Sequence, residues 1–526
     1  MGIERINMVE NAITLIYINP LVNDAEHIGI ECIKTTLDHN NIKNEVIYLT
    51  NKDEIDNMKI NAVTAIYGIS LTLDNYDLAV YCAKVIKSIN KEHIIIVGGV
   101  LASTAPKQVL SDCLFFDYVA IGDSEKTILQ IAKLFMDGNI DYSKICGIYG
   151  RNSSQITQPE ILDLTYLPWI DRSLLKINLD KKNYWARVFS NRKCFRNCTF
   201  CCVNYDMTYQ NHHGFCERDI EDVVDEMIYI NKTYNIQCFL FNDASFEDSK
   251  DGPARKIHKF CSLIAKKNLI CSIYANFRTE TFRLLNNDTI KIMAETGFVQ
   301  IFLGVESNNP HELKLYQKRA TIYDNQNAIT MLSNENIRIH LGFIMLNSYS
   351  TRESLKSNYE FLRNNSRTMI ANYTSILIPY YNTKIYCKML EDGLLLSEYS
   401  YKNPNQFTFE DEYVKKVVFF ITKEVYSSDL LILDDHITNY EKLLLHLNKI
   451  FKDQFKNEIN DLDILLAQIA HLNSEFWKHL YFDYSLISAE SNFNNYYQSI
   501  KDCYKKIQHN KLNLMKKRKI TSFLFK

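Results

Sequence analysis

Five short runs in the first third of the chain are apolar almost from end to end: ITLIYIN (13–19), NEVIYL (44–49), AVTAIYGIS (62–70), HIIIVGG (93–99) and DYVAIG (117–122). A strand with one wet face alternates polar and apolar residues, so strands that scarcely alternate must be covered on both faces. Helical stretches separate them, IGIECIKTTLDHN (28–40) and Tyr76 to Ile89. Parallel strands need such crossovers. The pattern therefore predicts an α/β, doubly wound (Rossmann-like) domain over residues 1–140, with its ligands at the carboxyl ends of the strands.

A chain of 526 residues exceeds what one core organises. Residues 141–184, with Gly147, Gly150, Pro159 and Pro168, read as a linker. A second strand–helix series then runs through WARVFS (185–190), QCFLFN (237–242), CSIYA (271–275), VQIFLG (299–304), RIHLGFIML (338–346) and TSILIPY (374–380). Its first helix, RDIEDVVDEMIYI (218–230), sets Ile220, Val223, Val224, Met227 and Ile228 on one stripe. Six such units predict a partial (β/α)6 barrel of the TIM type over 185–385, two units short of closure. Residues 386–526 read as helical.

Composition excludes several classes. Hydrophobic residues at 46% and charged residues at 23% fit a globular protein. A net charge of −2 offers no field for nucleic acid, and the basic stretch KKIQHNKLNLMKKRK (505–519) reads as a solvated helix face. No apolar run reaches the ~20 residues of a membrane span, and the first residues do not read as a signal peptide. Fourteen cysteines, most of them isolated, do not make a disulfide framework, which points to a reducing cytoplasm.

The exception to that isolation is NRKCFRNCTFCCVN (191–204). Cys194, Cys198 and Cys201 have the spacing C-x3-C-x2-C, and Cys202 follows directly. A structural zinc site takes four such ligands, and Cys202 or the pair His212-His213 would supply the fourth. An iron–sulfur cluster held by three thiolates instead keeps one iron open for chemistry. The motif follows the first strand of a βα series, at the end where barrel active sites are built.

CFRNCTFC, with Phe200 before the third cysteine, resembles the signature of the radical SAM enzymes. The resemblance implies that Cys194, Cys198 and Cys201 ligate a 4Fe-4S cluster, with Cys202 as packing. The open iron would chelate S-adenosylmethionine, and one electron, from a donor such as flavodoxin or ferredoxin, would cleave it to a 5′-deoxyadenosyl radical. Side chains beyond each strand should then face the cofactor. Asn242 and Asp243 in FLFNDASF resemble the stretch that meets the methionyl amine. Arg278, after SIYA and Asn276, has the planar fork that suits a carboxylate. GVES (304–307) resembles the family's GIES segment, giving Glu306 and Ser307 as cofactor contacts. Where relatives continue with Pro-Gly, this chain has Asn347-Ser348.

The first domain, LPWIDRSLL (167–175) and the barrel together resemble the cobalamin-binding-domain class of radical SAM enzymes, over roughly residues 10–365. Ser70 and Thr72 in GISLTL match the element that holds the cobalamin nucleotide tail. Gly98 and Gly99 in VGGVLAS would let a flat ligand approach the backbone. Gly122 and Glu125 in DYVAIGDSE stand near the opening. The Asp-x-His-x-x-Gly motif of some cobalamin proteins is absent; DAEHIG (24–29) has the wrong offsets, and His27 reads as polar packing. Members of the class also hold cobalamin without a protein ligand. The implied function is a cobalamin-dependent methyltransferase acting on an unactivated carbon of a small-molecule or peptide precursor. The alternatives are a radical SAM maturase that cyclises, cross-links or epimerises without cobalamin, and, in another class, a zinc-stabilised binding module.

Overall fold

Parallel pairing is what the end-to-end apolar runs require, and the computed structural model supplies it. It describes residues 13–20, 26–138, 142, 145–157, 159–172, 185–204, 214–365, 369–402, 406–451 and 454–516. The first sheet contains β1 (Ile13–Ile18), β2 (Asn44–Leu49), β3 (Ile66–Ser70), β4 (Ile94–Gly98), β5 (Tyr118–Ala120) and β6 (Ile148–Gly150), in the order β2-β1-β3-β4-β5-β6. Neighbours are parallel except β6, which runs against β5. The order reverses between β1 and β3, which makes a crevice at their carboxyl ends. Strand β6 corrects the reading of 141–184 as linker. Its three residues, Ile148–Gly150, are too few to carry a period, yet they complete the sheet edge.

The second sheet is wholly parallel, in the order β13-β12-β11-β10-β7: β7 (Ala186–Val188), β10 (Cys238–Phe241), β11 (Ser272–Arg278), β12 (Phe298–Glu306) and β13 (Arg338–Phe343). A short antiparallel pair, β8 (Asn191–Arg192) with β9 (Cys216–Glu217), carries the chain into and out of the cysteine loop. The sixth unit shrinks to one parallel bridge, Leu346 to Ile376. Pro379 has no N–H with which to extend that ladder. The helix Ile220–Tyr234 buries Ile220, Val223, Val224, Met227 and Ile230, while Ile228 is only partly covered. Asp219 caps it by accepting from the Glu221 N–H, worth about 1 kcal/mol.

Helices Glu412–Phe420, Leu430–Ile450, Lys456–Tyr481 and Leu486–Lys516 follow. The second of these meets the amino ends of the barrel strands: His446 Nδ1 lies 2.9 Å from Ser272 Oγ, and Lys442 sits over the Tyr274 ring. Arg338 adds two bonds to Asp463 at 2.8 and 2.9 Å. The carboxyl ends are thus left for chemistry. Among the described residues, no helix is long and apolar enough to cross a membrane.

Candidate active site

The cysteine loop is shaped by side chains that answer its own backbone. The Asn204 amide donates to the carbonyls of Cys194 (2.8 Å) and Arg196 (2.7 Å), and its oxygen accepts from the Cys194 N–H. The Cys201 N–H donates to the Cys198 carbonyl at 3.1 Å. Phe200 packs edge-on against Tyr316, and Thr199 donates to the Tyr316 and Leu315 carbonyls. Among the described residues, no three His, Cys, Asp or Glu side chains converge as one metal ion requires. His212 and His213 lie outside the described residues.

Burial pushes the Cys194 thiol up to about 12, and the Arg278 guanidinium opposes it. The contact is direct: Arg278 Nη1 donates to Cys194 Sγ at 3.3 Å. This differs from the carboxylate-binding role expected of Arg278. Its fork is already taken by Asp248, through both terminal nitrogens, and Glu247 lies 3.4 Å from its Nε. The fork recognises an internal carboxylate and turns one N–H onto a candidate ligand sulfur. Arg278→Met is therefore expected to make a cluster bound here harder to reduce, because it removes a positive charge beside a thiolate. A redox titration followed by electron paramagnetic resonance would read this as a lower midpoint potential.

The other strand-end residues sort by exposure. Asp243 is buried and accepts from the Ser190 and Asn191 N–H groups and the Ser190 hydroxyl, so it pins the chain entering the cysteine loop. Burial raises its carboxyl above the usual range. Asn242 is exposed and accepts from Arg187, and Asn276 donates to the Asp243 carbonyl. Glu306 sits at a bulge with φ of 67°, rare for a residue with a side chain. Its carboxylate lies 3.4 Å from Lys318 Nζ, in space that exists because position 304 is glycine. Ser307 does not face the site. It is buried, and its hydroxyl donates to Glu312 at 2.6 Å within a network that includes Asn358. Asn347 joins the same network through Glu312 and Tyr316, so Asn347-Ser348 is fixed from beneath.

The carboxyl ends of β3, β4 and β5 face this loop across a cavity of about 560 Å3. Ser70, Thr72, Gly98, Gly99, Gly122 and Glu125 all line it, as do Asn242, Asp243 and Val203 from the opposite side. Gly99 has φ of 118°, and a Cβ there would stand 2.8 Å from the Leu71 carbonyl. Gly122 is also left-handed, at 71°. Ser103 ties the two, donating to the Gly99 carbonyl and accepting from the Gly122 N–H. His27 Nδ1 accepts from the Ile30 N–H, so the neutral ring carries its proton on Nε2 and donates to Ser70 at 2.9 Å. Glu125 accepts from Arg192 at 2.6 Å, a link from the first sheet to the hairpin before Cys194. This cradle of open backbone fits a flat ligand pressed against the strand ends.

Several contributors carry no sequence signal. Lys318 is buried between Glu306 and Cys198, yet nothing in ELKLYQKRAT separates it from other lysines. Glu280 stays below the usual carboxyl range: burial would raise it, but Lys318 and Arg278 outweigh that. Asp248 is findable only as half of an acidic pair, Glu247-Asp248, beyond the second barrel strand.

Residues 188–362 match the radical SAM superfamily. An uncharacterised methyltransferase of Pyrococcus horikoshii is 23% identical over 370 residues, covering 68% of this chain and 76% of that protein. Four further curated relatives are matched over 39 to 61% of their own length. In fold, the chain is similar to the cobalamin-dependent S-adenosylmethionine radical enzyme OxsB, solved with aqua-cobalamin bound. The TM-score is 0.67 at 16% identity, over 94% of this chain and 84% of that one. It is also similar to the radical S-adenosylmethionine methyltransferase TsrM from Kitasatospora setae, solved with cobalamin and a [4Fe-4S] cluster. There the TM-score is 0.58 at 14% identity, over 74% and 80% of the two chains.

Proposed function

We propose that this chain, which carries a radical SAM domain at residues 188–362, is a cobalamin-dependent methyltransferase acting on an unactivated carbon of a small-molecule or peptide precursor. The observation that carries the reading is the cavity itself: the glycine-lined strand ends of the first sheet open onto Lys193 and Val203, which flank Cys194, Cys198 and Cys201 in the loop. Bound there, a 4Fe-4S cluster with S-adenosylmethionine would supply radical chemistry, and cobalamin would supply a methyl group.

The chain's own residues hold and insulate these groups. Cys194, Cys198 and Cys201 would ligate the cluster, with Arg278 steadying the first of them. Glu306 and Lys318 present a charge pair at the end of β12, suited to the amine and carboxylate of an amino acid. Gly98, Gly99 and Gly122 would let the flat face of cobalamin approach the backbone, while His27 is engaged by Ser70 and the Ile30 N–H. A reducing cytoplasm and a one-electron donor of the flavodoxin or ferredoxin kind complete the reading.

Anaerobic reconstitution with iron, sulfide and cobalamin tests it. The expected product is a brown protein that retains cobalamin, forms 5′-deoxyadenosine and methylates its substrate. A colourless protein holding one zinc would refute it. Gly98→Leu is the discriminating variant, because a Cβ there meets only Ala120, at an ordinary 3.6 Å. Cobalamin retention should fall at least tenfold, ~1.4 kcal/mol, with iron content unchanged.

A further inference from the structure

The large cavity does not stop at the carboxyl ends of the strands. Its lining includes Leu15, Ile30, Ile96, Ala120 and Ile128, which belong to the apolar core on one face of the first sheet. The helices Ile28–His39 and Glu125–Met136, which carry Ile30 and Ile128, cover that face. The cavity therefore reaches back as a slot between the sheet and these two helices.

Strand alternation explains the room. Along β3, Ile66 faces this core while Tyr67 and Ile69 face the other, which puts Gly68 and Ser70 on the slot side. Along β4, Ile96 and hence Gly98 share that side. Leu15, Gly68 and Ile96 lie in register across three strands, and Ser70 lies beside Gly98 further along. Leu15 leans across Gly68, its Cδ2 2.9 Å from where a Cβ would stand, and a Cβ at Gly98 would meet that of Ala120 at 3.6 Å. Glycine at 68 and 98 and alanine at 120 are too short to reach the helices, so the sheet surface stays open. The polar side chains of the lining gather at the strand ends and are engaged: Ser70 with His27, Ser103 with Gly99 and Gly122, and Glu125 with Arg192. Deeper in, the walls are hydrocarbon, and Leu15, Ile30, Ile96, Ala120 and Ile128 are at most 4% exposed.

We infer that this slot selects among cobamides, the corrinoids that differ in the base ending their nucleotide tail. It takes a benzimidazole with hydrocarbon edges and discriminates against a purine that carries an amino group. A ring with apolar edges gains by leaving water for walls of this kind. An amino group taken to the same depth gives up its water partners and meets only methyl and methylene groups, so the cost is left uncompensated. Ile30, Ile96, Ala120 and Ile128 would thus be specificity-determining residues. The inference rests on the cobalamin-dependent reading, in which Ser70 and Thr72 hold the nucleotide tail, and adds to it which tails the chain admits.

Equilibrium dialysis of the full chain, read by corrinoid absorbance, tests it with three probes. Hydroxocobalamin ends in dimethylbenzimidazole, a second cobamide ends in adenine, and cobinamide has no nucleotide tail. Hydroxocobalamin should bind about tenfold or more tightly than either of the others. Equal binding of the two cobamides overturns the inference, and so does cobinamide binding as well as hydroxocobalamin, since no base would then occupy the slot. Ala120→Leu extends a side chain into the slot, so the advantage of hydroxocobalamin over cobinamide should be lost. The Tm of the ligand-free variant should not fall, because the added atoms enter open space. A lowered Tm would make position 120 packed core, and an undiminished advantage would put the base elsewhere; either result overturns the inference. If wild-type protein binds none of the three, the cobalamin reading itself fails and takes the inference with it.

Discussion

Alanine at Cys194, Cys198 or Cys201 is expected to abolish cluster absorbance and S-adenosylmethionine cleavage together, whereas alanine at Cys202 keeps both. The four thiols are neighbours in sequence but not in surroundings. Cys194 receives N–H groups from Arg278 and Arg196, at 3.3 and 3.4 Å. Cys198 lies near Lys318, and Cys201 accepts from the Val203 N–H at 3.5 Å. Each of these three sulfurs therefore has a donor or a cation at hand, as a thiolate on a metal needs. Cys202 instead has Tyr380, Tyr399 and Tyr401 among its electrostatic neighbours. Iron and sulfide counts on the four variants, with 5′-deoxyadenosine measured alongside, check the assignment. Loss of iron in Cys202→Ala would reassign the ligands.

What could be read from the sequence divides along physical lines. Strand β4 and the helix Tyr76–Ile89 emerge because burial imposes a local pattern, continuous for a doubly covered strand and 3.6-fold for a helix. The cysteine spacing is local too. Ion pairing has no period, so the capture of Arg278 by Asp248, thirty residues away, leaves no trace that composition or spacing reveals. Ser307 shows a subtler failure. GVES suggests a residue facing the site, but the bulge between Gly304 and Glu306 shifts the alternation and sends the next hydroxyl into the core. The sixth barrel unit had the apolar run of a strand, and Pro379 cut its ladder to a bridge.

The second large effect is expected at Arg172, outside the cysteine loop. Its side chain is 1% exposed and bridges Glu26, after the first strand of one sheet, to Glu226, on the helix Ile220–Tyr234 of the other. Nη1 also reaches the Arg187 carbonyl of β7, and the Arg187 N–H returns to Glu26 at 2.7 Å. Arg218 shares Glu226 at 2.6 Å. Arg172→Met keeps most of the volume but removes the charge that separates two buried carboxylates. Breaking such a pair from one side costs ~3–5 kcal/mol, more than the pair itself adds. Thermal unfolding should shift down by ~10 °C, in one or both halves of the chain. Adding Glu26→Gln to Arg172→Met should recover part of the loss, because Glu226 keeps Arg218 whereas Glu26 loses its guanidinium partner, and a double-mutant cycle would measure that coupling. A purely steric role for Arg172 would give no recovery. Since the cavity is walled by both sheets, loosening this tie should also weaken cobalamin retention while the cysteine loop, anchored by Asn204, Asp243 and Tyr316 within its own half, still takes up iron. Stability and cofactor retention would then fall together in Arg172→Met, but separately in Gly98→Leu, which reaches the same cavity without touching the charge network.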